Sequence, residues 1–131
     1  MNKIVQEIKK VGVFYIATAE GDQPRVRPFS SVTEFEGKVY LCCGNYKDVY
    51  KQIVVCPKIE LCGMYDKTSW LRVTGEAVED DRIEVQKAML ADPTGPAGLY
   101  EAGDGRFVTF RLEKIKAVKY SFFTPPQEIE E

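Results

Sequence analysis

Two arginines and a lysine raise a chemical question before any element is assigned. Arg25 and Arg27 stand two residues apart in PRVRPFS, and Lys47 follows Gly44-Asn45 in VYLCCGNYKDVYKQI. Side chains two apart on a strand leave the same face, so the two guanidiniums can converge. Asn45 is a good helix N-cap, which would place Lys47 in a first turn where the helix dipole makes a cation mildly unfavourable. Such a group repels itself when nothing lies between its members. A phosphate dianion would reverse the sign, held by the helix amides, Asn45, Lys47 and an arginine. A solvated Lys47, offset by the neighbouring Asp48, explains the same spacing at a cost of roughly a few tenths of a kcal/mol.

Elements must bring these residues together, and the chain has the length for one hydrophobic core. It has 131 residues, 44% hydrophobic and 29% charged, which places it among ordinary globular proteins. A net charge of −2 with mixed signs argues against a general nucleic-acid partner. No apolar run reaches the ~18 residues of a membrane span, and MNKIVQEIKKVG lacks a signal peptide's apolar stretch, so a cytoplasmic location is the default expectation. There is no histidine. That removes the serine–histidine and cysteine–histidine triads and most transition-metal catalysis, and it assigns any redox step to a bound cofactor. Cys42, Cys43, Cys56 and Cys62 form no C-x-x-C pair and read as small core residues.

Ile4, Val5, Ile8 and Val11 recur at helical spacing over residues 2–10. VFYIATAE, PRVRPFSSVTEFE and VYLCC read as three strands joined by turns at 20–22 and 36–38. A helix at 46–56 precedes two more strands, KIELCGMYD and SWLRVTGEAVED, and DRIEVQKAMLAD is a further helix. A Gly/Pro-rich connection then leads to RFVTFRLE and KIKAVKYSFF, read as a closing hairpin. The tail, 124–131, is expected to be flexible. Strands dominate and their connections are antiparallel, which predicts a mainly β single domain over 1–131, a small closed or partly closed barrel with added helices. No dinucleotide fingerprint or P-loop is present.

The ordered set R-x-R-P, then G-N-x-K opening a helix, then W-L-R-V-x-G-E-A resembles the pyridoxamine 5′-phosphate oxidase-like group of FMN-binding split-barrel proteins. The likeness runs from about Phe14 to Glu79, with a weaker match to Phe123, and is close to the short bacterial members similar to nitroimidazole-resistance proteins. The resemblance implies a six- to seven-stranded antiparallel split β-barrel and a homodimer with FMN at the subunit interface. It implies that Arg25, Val26, Arg27, Pro28, Phe29 and Ser30 run along the isoalloxazine, with Arg25 or Arg27 reaching the phosphate. Leu41, Cys42 and Cys43 would pass beside the ring, Asn45 and Lys47 would bind the phosphate, and Trp70 would serve the partner subunit's pocket.

The implied function is flavin-dependent oxidoreduction of a small molecule, with no catalytic side chain and no metal assigned. The alternative is a flavin-, deazaflavin- or haem-binding protein of the same fold without turnover. Pyridoxamine 5′-phosphate oxidases carry C-terminal substrate-binding residues, for which SFFTPPQEIEE has no counterpart.

Overall fold

The computed structural model describes residues 1–131. Eight strands make one antiparallel sheet: β1 (Phe14–Glu20), β2 (Gln23–Phe29), β3 (Thr33–Phe35), β4 (Lys38–Gly44), β5 (Lys58–Met64), β6 (Ser69–Glu79), β7 (Phe107–Ser121) and β8 (Gln127–Ile129). The helices are α1 (Lys3–Val11), α2 (Asp48–Val55) and α3 (Ile83–Ala91). The strand order is β2-β1-β5-β6-β7-β4-β3, with β8 added on β7. Inward positions alternate along each strand with period two. Phe14 and Ile16, Ile59 and Leu61, Leu71 and Val73, Phe110 and Leu112, and Val39 and Leu41 all enter one core. Strands distant in the sheet order therefore share one interior. The sheet curls into a split β-barrel, plugged by Ile4, Val5 and Ile8 of α1 and by Val49 and Ile53 of α2.

β4 is buried on both faces. Val39, Leu41 and Cys43 face the barrel interior, while Tyr40 and Cys42 pack with Val85 and Met89 of α3 and with Phe107. Double burial explains why VYLCC is continuously apolar instead of alternating.

Three boundaries differ from the sequence reading. PRVRPFSSVTEFE is not one strand but β2 and β3, separated where the Ser31 hydroxyl donates to Thr94 O at 2.7 Å and the Val32 amide to Thr94 Oγ1 at 3.0 Å. RFVTFRLE and KIKAVKYSFF are not a hairpin but the single strand β7. At Glu113-Lys114 it bulges: Thr74 and Glu76 pair with Lys116 and Glu113, so Gly75 faces two residues, and Lys114 takes φ 50°. The C-terminal tail, expected to fray, pairs through Ala117↔Ile129. Its last residue is also tied: Asn2 donates to the Glu131 carboxylate at 2.6 Å while its own Oδ1 caps α1 by accepting from Ile4 and Val5.

α3 is clamped to the β3–β4 corner by a buried carboxylate. Asp80 accepts from the Tyr40 hydroxyl at 2.8 Å and is gripped twice by Arg82, which also reaches Glu36 at 2.6 Å. The bonds from Arg82, the largest influence, with help from Tyr40 and against burial, hold Asp80 down to about 2 from its ordinary 3.8. A depressed carboxyl stabilises the fold above its unfolded pKa and loses that contribution as pH falls through its folded pKa. Asp80→Asn is therefore expected to cost roughly 1–3 kcal/mol at neutral pH. In urea denaturation the gap from wild type should close as pH falls from 3.8 towards about 2.

Candidate functional site

Because β2 ends the strand order, one of its edges is free. β4 has a matching gap: β3 pairs it only from Lys38 to Tyr40, so Leu41 to Gly44 bond to β7 on one side and to no strand on the other. α2 fills the split between these edges. Pro24 and Pro28, which cannot donate, suit a terminal strand. Val26 and Pro28 are exposed, Phe29 packs with its ring 6.1 Å from Phe14, and Ser30 follows on the surface.

Arg25 and Arg27 leave β2 on one face, as their spacing requires, but have different partners. Arg25 meets the exposed Glu20 at 2.9 Å. Arg27, half-buried, donates to Ile16 O at 3.2 Å, to the Thr18 hydroxyl at 2.7 Å and to Gln52 Oε1 of α2 at 2.6 Å. The Thr18 hydroxyl also bonds Gln52. Partial burial lowers the Arg27 pKa from its ordinary value, opposed by Asp48 in the first turn of α2. Arg27 thus ties the edge strand to the helix while keeping a charge that no carboxylate side chain hydrogen-bonds or bridges.

The start of α2 differs from expectation. Asn45 does not cap the helix; its amide donates to Gly105 O at 2.9 Å and its backbone N–H to Arg106 O at 2.8 Å, fastening β4 to the loop before β7. Lys47 itself is the N-cap residue, extended at φ −85° and ψ 151°, and its side chain makes no capping bond. The Tyr50 and Lys51 amides reach Lys47 O, which leaves those of Asp48 and Val49 without an acceptor. Lys47 is exposed and in no ion pair. Two free amides, Lys47 and the nearby Arg27, set against the single carboxylate of Asp48, leave a first turn open to solvent that can bind an oxyanion.

Beside it lies a group that the sequence did not single out. The Tyr50 ring stacks on Phe110 at 6.4 Å and its hydroxyl donates to Glu79 at 2.8 Å. Glu79 is raised above the usual carboxylate range chiefly by Asp81, then by burial, with Tyr50 opposing. Asp81 accepts from the Thr109 amide at 3.0 Å. For the Arg27–Thr18 cluster the available signal was Gln52, a polar residue three positions from the buried Val49 and next to Ile53 on the inward helix face.

Leu41 and Cys43 point into the core and Cys42 lies under α3, with burial pushing both thiols up to about 12. Their main chain, not their side chains, borders the split. Trp70 is elsewhere. It stacks on Tyr120 at 5.7 Å on the outer face of the sheet, nine positions along β6 from Glu79, or ~30 Å at strand rise. One chain therefore brings Arg27, Lys47 and the edges of β2 and β4 together, without Trp70.

Gln52→Ala removes the acceptor that Arg27 and Thr18 share. A loss of roughly 1–3 kcal/mol in thermal or urea unfolding is expected, larger than for the exposed Lys51→Ala.

No family model matches the chain, and no curated protein does. Solved structures do. A NimC/NimA family protein from Clostridium acetobutylicum is 40% identical over 98% of this chain and 93% of its own, with a TM-score of 0.90. A pyridoxamine 5′-phosphate oxidase-related, FMN binding protein from Nostoc punctiforme shares the fold at 12% identity and TM-score 0.66, covering 97% of this chain and 91% of its own. An F420 reductase shares it at 15% identity and TM-score 0.61, over 82% and 90%. At 40% identity across nearly the whole of both chains, on a split barrel common to all three, the chain belongs to the NimC/NimA family.

Proposed function

We propose that the chain binds FMN in the split between β2 and β4 and acts as a flavin-dependent oxidoreductase on a small molecule. The observation that carries this reading is the uncapped first turn of α2, with unbonded amides at Asp48 and Val49 and the cations Lys47 and Arg27 beside it. Those residues fit a phosphate ester: amides along the helix axis for the oxygens, an ammonium as a point charge and a guanidinium close by. Arg25, weakly held by an exposed pair, can turn towards the same group. The free edges from Arg25 to Ser30 and from Leu41 to Cys43 give main-chain donors and acceptors for a flat heteroaromatic ring. When bound, the flavin supplies the redox chemistry. The protein's share is orientation and a field that favours negative charge. The fold neighbour named as FMN binding supports this choice. A deazaflavin is the second reading, supported by the F420 reductase neighbour.

The outer face of β1, β5, β6 and β7 supports a homodimer. Tyr15, Met64, Phe122 and Phe123 are exposed there, around Trp70 stacked on Tyr120. An apolar, aromatic patch of this kind marks an interaction surface. A second copy would bring its own Trp70 towards the split that one chain leaves without it.

FMN and riboflavin titrations test the phosphate assignment. The wild type should bind FMN more tightly. Lys47→Ala with Arg25→Ala should lose about ten- to a hundredfold in FMN affinity and little for riboflavin, the equivalent of one or two charged hydrogen bonds. Equal losses for both ligands contradict it. Sedimentation tests the interface: wild type is expected as a dimer, and Phe122→Asp with Phe123→Asp as a folded monomer of weakened flavin affinity. A dimer that persists unchanged would remove this patch as the contact.

A further inference from the structure

Resting on the phosphate reading above, we propose that binding of a phosphorylated cofactor at the start of α2 draws a proton onto the Glu79 carboxyl, which stands beside Asp81. Glu79 ends β6, and Asp81 lies two residues on, before α3. Asn45, Tyr50, Glu79 and Asp81 line one cavity of about 260 Å³. Tyr50, in the first turn of α2, joins the helix to the pair at 2.8 Å. The Cys43 thiol, at the end of β4, is raised chiefly by burial and then by Cys42, with Lys47 lowering it and Glu79 and Asp81 raising it slightly. Lys47 and Asp48 thus open the helix, Arg27 meets it at Gln52, and Glu79 meets it at Tyr50.

The groups facing the pair from each packed element are few. α2 contributes Tyr50 and, beyond it, Lys47; β4 contributes Cys43. α3 contributes the Gln86 amide and β7 the Thr109 amide, neither titratable. Tyr50 and Cys43 are both pushed up to about 12, so neither titrates near neutrality. The Tyr50 bond fixes the Glu79 carboxyl and the Thr109 bond fixes Asp81, and the neighbouring Asp81 makes ionisation of Glu79 harder. A dianion held at the start of the same helix adds to that repulsion, which salt only partly screens.

The sign follows. Glu79 already sits above its unfolded value in the free protein, and the dianion raises it further. Binding is favoured below the free-state pKa of Glu79, and the advantage disappears as pH rises through its bound-state value. The phosphate's own second ionisation near pH 6 acts in the opposite direction, so a pH profile of the wild type alone mixes the two.

The experiment is calorimetric titration of the full chain with FMN and with riboflavin between about pH 5 and 8, in buffers of different ionisation enthalpy. Wild type, Glu79→Gln and Tyr50→Phe are compared. Wild type should take up more protons per FMN than Glu79→Gln, whose FMN affinity should be about three- to tenfold tighter at the alkaline end. Riboflavin should show no such difference. Tyr50→Phe keeps the ring on Phe110 but removes the bond that lowers Glu79, so its step should move to higher pH. Tighter FMN than riboflavin binding with identical proton counts in wild type and Glu79→Gln overturns the coupling alone. Equal affinity for FMN and riboflavin in wild type overturns the phosphate reading and the coupling with it.

Discussion

Between the free edges of β2 and β4 the core would meet water if α2 did not lie there. Val49 and Ile53 enter the interior, and a fully buried aliphatic side chain contributes ~1.5–3 kcal/mol. The helix is short, so its placement also needs polar fastenings: Gln52 to Thr18 and Arg27 on the β2 side, Tyr50 to Glu79 on the other. These fix the first turn in the split and leave its amides pointing out. The barrel is incomplete at a place where a helix start with free amides and an unpaired lysine is available, and the functional reading depends on that coincidence.

Much of the fold was legible because it is local. Alternation in FYIATAE and SWLRVTGEAVE marks half-buried strands, and the Glu20-Gly21-Asp22 and Glu36-Gly37-Lys38 turns join antiparallel neighbours. The failures are all non-local. The break in PRVRPFSSVTEFE is made by Thr94, more than sixty residues away. Glu113-Lys114 has the polarity of a turn, yet the two halves bond the same partner, β6, and the strain is absorbed as a bulge. Asn45 has good capping chemistry, but donation from its side-chain amide to Gly105 and from its backbone N–H to Arg106 holds it in the strand-to-loop junction, and the helix starts after Lys47. The tail found a strand edge in β7 and a partner in Asn2.

The site divides along the same line. The shared face of Arg25 and Arg27, and the closeness of Lys47 to a helix start, follow from spacing alone. That Arg27 is held by Gln52, while Arg25 has only a surface pair, required the fold. Glu79, Asp81 and Tyr50 carry no motif; β6, β7 and α2 bring them together across thirty positions of sequence. Trp70 has the opposite lesson. Its strand is well placed in the sequence, yet the sheet carries it to the outer face, away from the split.

A crystal structure grown with FMN tests the central claim most directly. The account predicts phosphate oxygens within hydrogen-bond distance of the Asp48 and Val49 amides and of Lys47 Nζ, with the ring against the edges of β2 and β4. Flavin bound at another place, or solvent alone at that first turn under saturating FMN, would contradict it.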